Sequence, residues 1–523
     1  MNKLNLLKLQ ITSILGGISE LWGQQGEGQF LTSLGIDPEG AFGSLTKSSG
    51  GIYPTRFTEF STSDLSSAPM WITGAPTTTG VFVYEANGTL RSYASTLTSA
   101  SEQGIATIEG GEGQGLAAYN DYLYASNTTS VVRYGRLSQT APTLADYWIT
   151  GLSMSSLTDS EYPSTRDVTY PAHVLHPHVD GRLYIAEFDG ANGRIHSLTT
   201  DSAGANGSAT YNDLVLPPAM LPMDMDAYGT DIAILLSPQG KYASGDIPKT
   251  GNSLLALWDT TPGNKAYRFV PINEPLATAL INRNGELCIV CGNIDVDSKL
   301  MRYLGGYSFE SIASIPEGFP PPAGAADTIG NMIAWGGSVT YPTTGAGVYT
   351  YGFRSGRLPG TSLNNIARIS DATATLPIIT CLKFIQRGKN PVIGWRTGTP
   401  TFGLDKAGSG TFTSYFRSQV FSPGKNFIVR RLSFPLSTNV QAGVIITPTI
   451  YVDNEAATFA AGTSQASGLI VVNNTNYSSN ELFIDQQGIA INGQHNFYVE
   501  FQFTGTAECG IMLPISIEVE LVD

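Results

Sequence analysis

Between residues 52 and 415 the chain repeats one unit: a turn residue, a short apolar run, a gap, and a second run that carries an aromatic side chain. Such runs, bounded by Gly, Asp or Asn, are too short for helices and read as strands. The first runs are Gly80–Tyr84, Asp121–Ala125, Gly181–Ile185, Ile232–Leu236 after Gly229, Gly285–Ile289, Gly330–Trp335, and Val392–Trp395 after Gly388. The second runs are Leu90–Tyr93, Val131–Tyr134, Arg194–His196, Leu254–Trp258, Leu300–Tyr303, Val348–Tyr351 and Thr401–Phe402. Seven units with a mean spacing of about 51 residues suit four-stranded blades with loops of variable length. One blade alone exposes two apolar faces; blades packed around an axis hide both and leave few free edges. The pattern predicts an all-β chain with a seven-bladed β-propeller over 52–415. Ile52 to Phe60 is expected to close the ring by pairing into the last blade.

Beyond Tyr415 the pattern changes to longer strands with strict alternation. Phe497, Val499, Phe501 and Phe503 interleave with Tyr498, Glu500 and Gln502, which predicts one buried face and one wet face. With Phe427–Phe434, Val444–Val452, Gly468–Val472 and Ile515–Leu521, residues 416–523 read as a C-terminal antiparallel β-sandwich of jelly-roll size. At the other end, Leu4, Leu7, Ile11, Ile14, Ile18 and Leu21 alternate spacings of three and four, the stripe of an amphipathic helix. A short N-terminal helix is expected, either packed on its own domain or presented as an assembly interface. Gly16 and Gly17 weaken it, and the Gly-, Ser- and Gln-rich stretch that follows completes an arm over 1–51.

Composition agrees with strands and tight turns: 41% of residues are hydrophobic, 14% are charged, and there are 58 Gly and 29 Pro. A formal net charge of −14 argues against nucleic acid as the main partner, and no apolar run is long enough for a membrane span. The first fifteen residues are apolar, but Asn5, Lys8, Gln10 and Thr12 interrupt any signal-peptide core.

Candidate chemistry is sparse. Cys288 and Cys291 form a C-x-x-C inside a strand, where residues three apart face opposite ways; with Cys381 and Cys509 they are expected as reduced thiols rather than as a disulfide framework or zinc site. His173, His176, His178 and Asp180 crowd before one blade strand, a spacing open to metal binding but better explained by rim packing and turn hydrogen bonds. Asp224, Asp226 and Asp231, and separately Asp295 and Asp297, lack the full calcium-loop pattern and are expected in solvated turns. Gly110–Gly115 lacks the Lys-Ser/Thr of a phosphate loop, and no catalytic signature occurs. Asn87, Asn127, Asn206, Asn473 and Asn476 fit the glycosylation pattern, which has no use without secretion. No catalytic residue, metal or cofactor is expected.

Ile11–Ser19, Gly28–Phe30, Gly35–Gly40 and Gly50–Pro54 resemble the opening of tailed-bacteriophage virion proteins with propeller domains, including tail nozzle proteins. The resemblance implies a structural component of the virion, in the tail or its attachment apparatus, that assembles as a symmetric homo-oligomer with other virion proteins. A carbohydrate-binding adhesin that stacks host-surface glycan on rim Trp and Tyr side chains is the second expectation. A glycoside hydrolase or lyase is the third, since 43 acidic residues would allow many carboxylate pairs.

Overall fold

The computed structural model describes residues 6–18, 29–38, 51–61, 64–74, 80–94, 97, 102–108, 115–127, 130–137, 144–150, 173–200, 207–238, 252–263, 265–292, 298–315, 320–321, 324–339, 345–352, 363–368, 378–385, 390–397, 401–409, 414–436, 444–452, 455–456, 470–472, 481–491, 496–505 and 510–521. Every regular element among them is a strand. The architecture is an all-β propeller with a further all-strand unit.

The propeller is a succession of four-stranded antiparallel meanders. Sheet a comprises Pro69–Gly74, Gly80–Glu85, Thr89–Ala94 and Glu102–Thr107; sheet b comprises Gly115–Tyr119, Tyr122–Ser126, Ser130–Arg136 and Leu144–Thr150. Sheet c comprises Val174–Pro177, Arg182–Phe188, Asn192–Thr200 and Gly207–Pro218; sheet d comprises Met220–Tyr228, Asp231–Pro238, Ser253–Trp258 and Arg268–Ile272. Sheet e comprises Leu276–Arg283, Glu286–Gly292, Ser298–Gly305 and Ser308–Ile315; sheet f comprises Ala326–Ile329, Met332–Val339, Gly345–Tyr351 and Leu363–Arg368. Sheet g begins with Ile378–Ile385, Asn390–Arg396 and Phe402–Ser409, and its next strand is Gly51–Ser61 from far upstream. That strand runs antiparallel to the third, with Thr55 opposite Ser409 and Ser61 opposite Leu404. The first strand of each sheet touches the first strand of the next, and that of g touches that of a, so the inner strands form a closed cycle.

The apolar runs that stand out in the sequence are the second strands of these sheets, not the first. Gly80–Glu85 and Arg182–Phe188 are buried at all but their leading residue, because a second strand is covered by a neighbouring sheet on each face. Inner strands are shorter or carry polar residues at the axis, as in Ala326–Ile329, and escape the apolar pattern.

Apolar clusters fill the seams. Leu235, Leu257, Ile289 and Cys291 join sheets d and e, and Cys288, Leu300, Ile333 and Trp335 join e and f. The seam between g and a is tight: a Cβ on Gly394 would meet Cys381 Sγ at 2.6 Å and the Pro69 ring at 2.7 Å. There the Thr380 hydroxyl donates to the Pro69 carbonyl. Sheet a also holds a buried ionic knot, in which Glu85 accepts from Arg91 and from the Ser66 and Ser67 amides at 2.7 Å.

Gly17–Ile18 and Gln29–Phe30 pair in a small sheet of their own, while most of the remaining strands form two larger sheets around one apolar cluster. One has the order Leu6–Ile11, Ile515–Leu521, Phe427–Pro435, Glu481–Ile491. The other has Glu455–Ala456, Val444–Val452, Phe497–Thr504, Ser414–Arg417 and Thr32–Leu34 in order, with Ile470–Val472 also on Val444–Val452. Phe427, Leu432, Phe434, Ile515, Ile517 and Val519 of the first meet Phe416, Ile446, Phe497, Phe501 and Phe503 of the second. Tyr498, expected on the wet face, is 1% exposed because Tyr451 stacks on it at 5.0 Å and the Arg417 guanidinium covers it.

The expected N-terminal helix is instead a strand. Leu6 pairs with Glu520 and Ile11 with Ile515, and burial alternates along Leu6–Ile11. Leu7, Leu9 and Ile11 satisfy a period of two, and Leu7 and Ile11 fit the helical spacing as well. The free edge of Ile515–Leu521 supplies hydrogen bonds and an apolar surface that a helix broken at Gly16 and Gly17 lacks. The arm is not detached either: Phe30 and Ile36 enter the same core, and Ile36–Asp37 pairs with Gly51–Ser61.

Candidate functional site

The innermost strands carry the ionisable groups nearest the axis. Asp224 and Asp226 belong to the strand Met220–Tyr228 rather than to a solvated turn, and alternate residues of a strand share a face. Asp224 Oδ2 accepts the Leu280 N–H at 2.8 Å and Asp226 Oδ2 accepts the Asn282 N–H at 2.7 Å, both from the inner strand of sheet e. Asn282 returns a hydrogen bond from Nδ2 to the Ala227 carbonyl at 2.6 Å. Two seams on, Asp327 of sheet f repeats the device: Oδ2 accepts the Phe384 N–H at 2.8 Å and Oδ1 accepts from Lys383 Nζ at 2.9 Å. An inner strand has a partner on one side only, so half of its amides face a gap; these carboxylates satisfy those of Leu280, Asn282 and Phe384.

The surrounding protein shapes the titration of this group. Burial pushes the Asp224 carboxyl up to about 7 against the Leu280 hydrogen bond, and the charge of Asp226 adds to the rise. Asp226 is raised by burial too. Burial opposes the charge on Lys383, but Asp327, Asp226 and Asp224 outweigh it and hold the ammonium above its ordinary value. By surface area these side chains are only half-buried, since their strands border the axis, while protein encloses them on the other sides. The arrangement clamps strands together. Among the described residues no group of three or more His, Cys, Asp or Glu could hold a metal ion. Asp231 opens the next strand, and Asp295 and Asp297 lie outside the described residues.

The histidine cluster builds a hairpin. His178 N–H donates to the Arg182 carbonyl at 2.9 Å, Gly181 adopts φ +82° between them, and Asp180 accepts from the Arg182 amide and from the Tyr184 hydroxyl at 2.7 Å. His178 Nε2 lies 3.0 Å from the Thr230 carbonyl, which ties sheet c to sheet d. His176 is held neutral: burial, then the neighbouring His178, pushes it down to about 4. His173 is fully buried beside Gly115, whose Cβ would lie 2.4 Å from the His173 carbonyl. Elsewhere in sheet c, the amide of Asn212 donates to His196 Nδ1 at 3.0 Å, which leaves Nε2–H to donate to Glu187 at 2.9 Å. This pair is buried and ordered, with its basic nitrogen already occupied.

The cysteines of the C-x-x-C enter different seams, Cys291 between sheets d and e and Cys288 between e and f. Burial pushes Cys288 up to about 11 and Cys381 up to about 12, and raises Cys291 as well. Cys509 lies outside the described residues, as do residues 110–114.

Of the expected assembly stripe, Ile11 and Ile14 are 4% and 1% exposed within the core of their own unit, with Leu7 and Ile18 packed against it. Ile18 also touches the cluster between sheets e and f. Leu4 and Leu21 lie outside the described residues. The rim aromatics expected to stack glycan are redistributed. Trp258, Trp335 and Trp395 are fully buried, and the large aromatics left in solvent among the described residues are Tyr211, Tyr267 and Tyr307. Tyr307 sits in a turn and so falls outside the strand pattern of the sequence; its only signal there is the Gly305-Gly306 pair before it.

No protein-family model matches the chain, and no curated protein matches it. Among solved structures it is similar to Raptor of Chaetomium thermophilum, with a TM-score of 0.44 and 12% identity over 68% of this chain and 30% of Raptor. It is similar to the Dos1 propeller, with a TM-score of 0.39 and 10% identity over 64% of this chain and 76% of that one. It is also similar to BBS1N, solved in complex with ARL6DN, with a TM-score of 0.39 and 10% identity over 67% and 96%. This chain therefore spans less than a third of the length of Raptor. At these scores the likenesses add nothing to what strand pairing says of the architecture.

Proposed function

We propose that sheets a to g are the blades of a seven-bladed β-propeller, that the two larger remaining sheets are a β-sandwich, and that the chain is a structural component of a bacteriophage virion. In this reading it belongs to the tail or its attachment apparatus and serves there as a rigid scaffold in symmetric copies. The observation that carries the scaffold role is the strand Gly51–Ser61. Its start pairs with Met512 and Ile511 of the C-terminal unit, and Thr55 to Ser61 pair with Phe402–Ser409 of the propeller. One strand thus belongs to both units, and Ile18 packs against both. Such a weld suits a part that holds a fixed shape between neighbours better than one that opens around a substrate. The opening segment's resemblance to virion proteins supplies the particle.

Because Ile11 and Ile14 are consumed by their own core, docking on neighbours falls to other surfaces. The test is mass spectrometry and electron cryo-microscopy of purified particles. The chain at a fixed copy number, in a ring about the tail axis, supports the reading; its absence from washed particles overturns it.

A further inference from the structure

We infer that the seam between the outer parts of sheets d and e is a binding site for a carboxylate-bearing saccharide, with Tyr267, Arg268 and Tyr307 as its contact residues. Arg268 opens the outermost strand of sheet d, and its guanidinium lies 6.0 Å from the ring centre of Tyr267 and 5.9 Å from that of Tyr307. Tyr267 and Tyr307 are 50% and 70% exposed. Large apolar side chains gathered at one surface point, rather than scattered singly, mark a contact site.

The group is fixed in place from below. Arg268 Nη1 donates to the hydroxyl of buried Tyr303 at 3.2 Å, and that hydroxyl donates to the Gly306 carbonyl at 3.1 Å. Tyr303 is packed by Tyr228 and Phe309. Tyr267 is anchored twice, by its amide on the Leu257 carbonyl at 3.0 Å and by its hydroxyl on Asp231 at 2.8 Å. Tyr307 stands at a turn in which Gly305 and Gly306 take φ of +93° and +63°, a backbone that holds its ring out in solvent.

Charge selects the ligand. In a chain of net charge −14, Arg268 has no acidic partner among the described residues. A guanidinium presents paired donors that match a carboxylate, and tyrosine rings offer flat faces to the C–H face of a pyranose. Asp231, already engaged by Tyr267, supplies an acceptor for a sugar hydroxyl at the rim. A sugar acid satisfies all three features together, whereas a neutral sugar leaves the guanidinium unused. The inference stands apart from the virion reading, since either holds without the other.

The experiment is isothermal titration of the full chain with a glucuronate-containing tetrasaccharide and, in parallel, with the neutral tetrasaccharide of glucose. Wild type is expected to bind the acidic probe at least about tenfold more tightly than the neutral one. Tyr307→Ala and Arg268→Gln are each expected to weaken that binding by about tenfold or more, the scale of a lost stacking or charge-assisted contact. Unchanged melting temperatures show that the variants fold. The inference is overturned if the acidic probe does not bind, if both probes bind equally, or if neither substitution changes the affinity.

Discussion

The Oδ2 atom of Asp224 accepts the backbone N–H of Leu280 at 2.8 Å, so a carboxylate on one inner strand completes the hydrogen bonding of the next. Burial holds this carboxyl at about 7, against an ordinary value of 3.8. An acid raised on folding stabilises the folded state fully below its unfolded value, and that contribution is lost as pH rises through the folded value. The difference in melting temperature between wild type and Asp224→Asn should therefore shrink between about pH 4 and pH 7. A constant difference across that range would refute the assignment.

His176 acts with the opposite sign. Its folded value, about 4, lies below the ordinary 6.5, so its contribution is present above 6.5 and lost as pH falls through 4. Thermal melts of His176→Gln should show the wild-type advantage growing as pH rises across that window. The two groups offset each other in the intact protein, which predicts a flatter wild-type profile than either variant gives.

Phe57 lies in the strand Gly51–Ser61 and is 1% exposed among Ala334, Ile379, Leu382, Ile393 and Trp395. Phe57→Ala should cost about 3–5 kcal/mol, the range for a large aromatic removed from a packed core. Hydrogen exchange should report the loss first at 402–409, the segment this strand pairs with. Exchange that stays protected there while distant sheets loosen would argue against the strand as the closure.

Ile11 pairs with Ile515 and is 4% exposed. Ile11→Ala should lower stability by about 2–5 kcal/mol in denaturant melts, as expected for a core aliphatic. A surface helix would barely register the change, so a loss under 0.5 kcal/mol or so would contradict a core position.

Cys288, Cys291 and Cys381 are buried and free, and their raised pKa values keep them as thiols at neutral pH. A Cys509→Ser protein should show no fast reaction with a thiol reagent until denaturant is added. Prompt labelling of the native protein at Cys288 would place that residue outside the seam.

The propeller is legible in the sequence because second strands are covered on both faces and so announce themselves as apolar runs between turn residues, as in Gly80–Glu85 and Glu286–Gly292. Inner strands are harder to see. Met220–Tyr228 mixes Asp224 and Asp226 with Met223 and Met225, and its acids read as turn residues until the neighbouring strand's unpaired amides come into view. Leu6–Ile11 misleads for a different reason, since Leu7 and Ile11 fit both a helix and a strand, and only the distant Ile515–Leu521 decides between them. The Tyr267–Arg268–Tyr307 group joins residues of two sheets, and no local spacing announces such a meeting.

Because Gly51–Ser61 serves both units, a pull on the C-terminal sheets travels along this strand into the ring. Its bonds to Phe402–Ser409 run across that line of force, so they would be loaded together in shear and not peeled one by one. The same strand that finishes the ring is thereby its tether, and a tug that frees it would unlatch the circle at the seam where its first and last sheets meet.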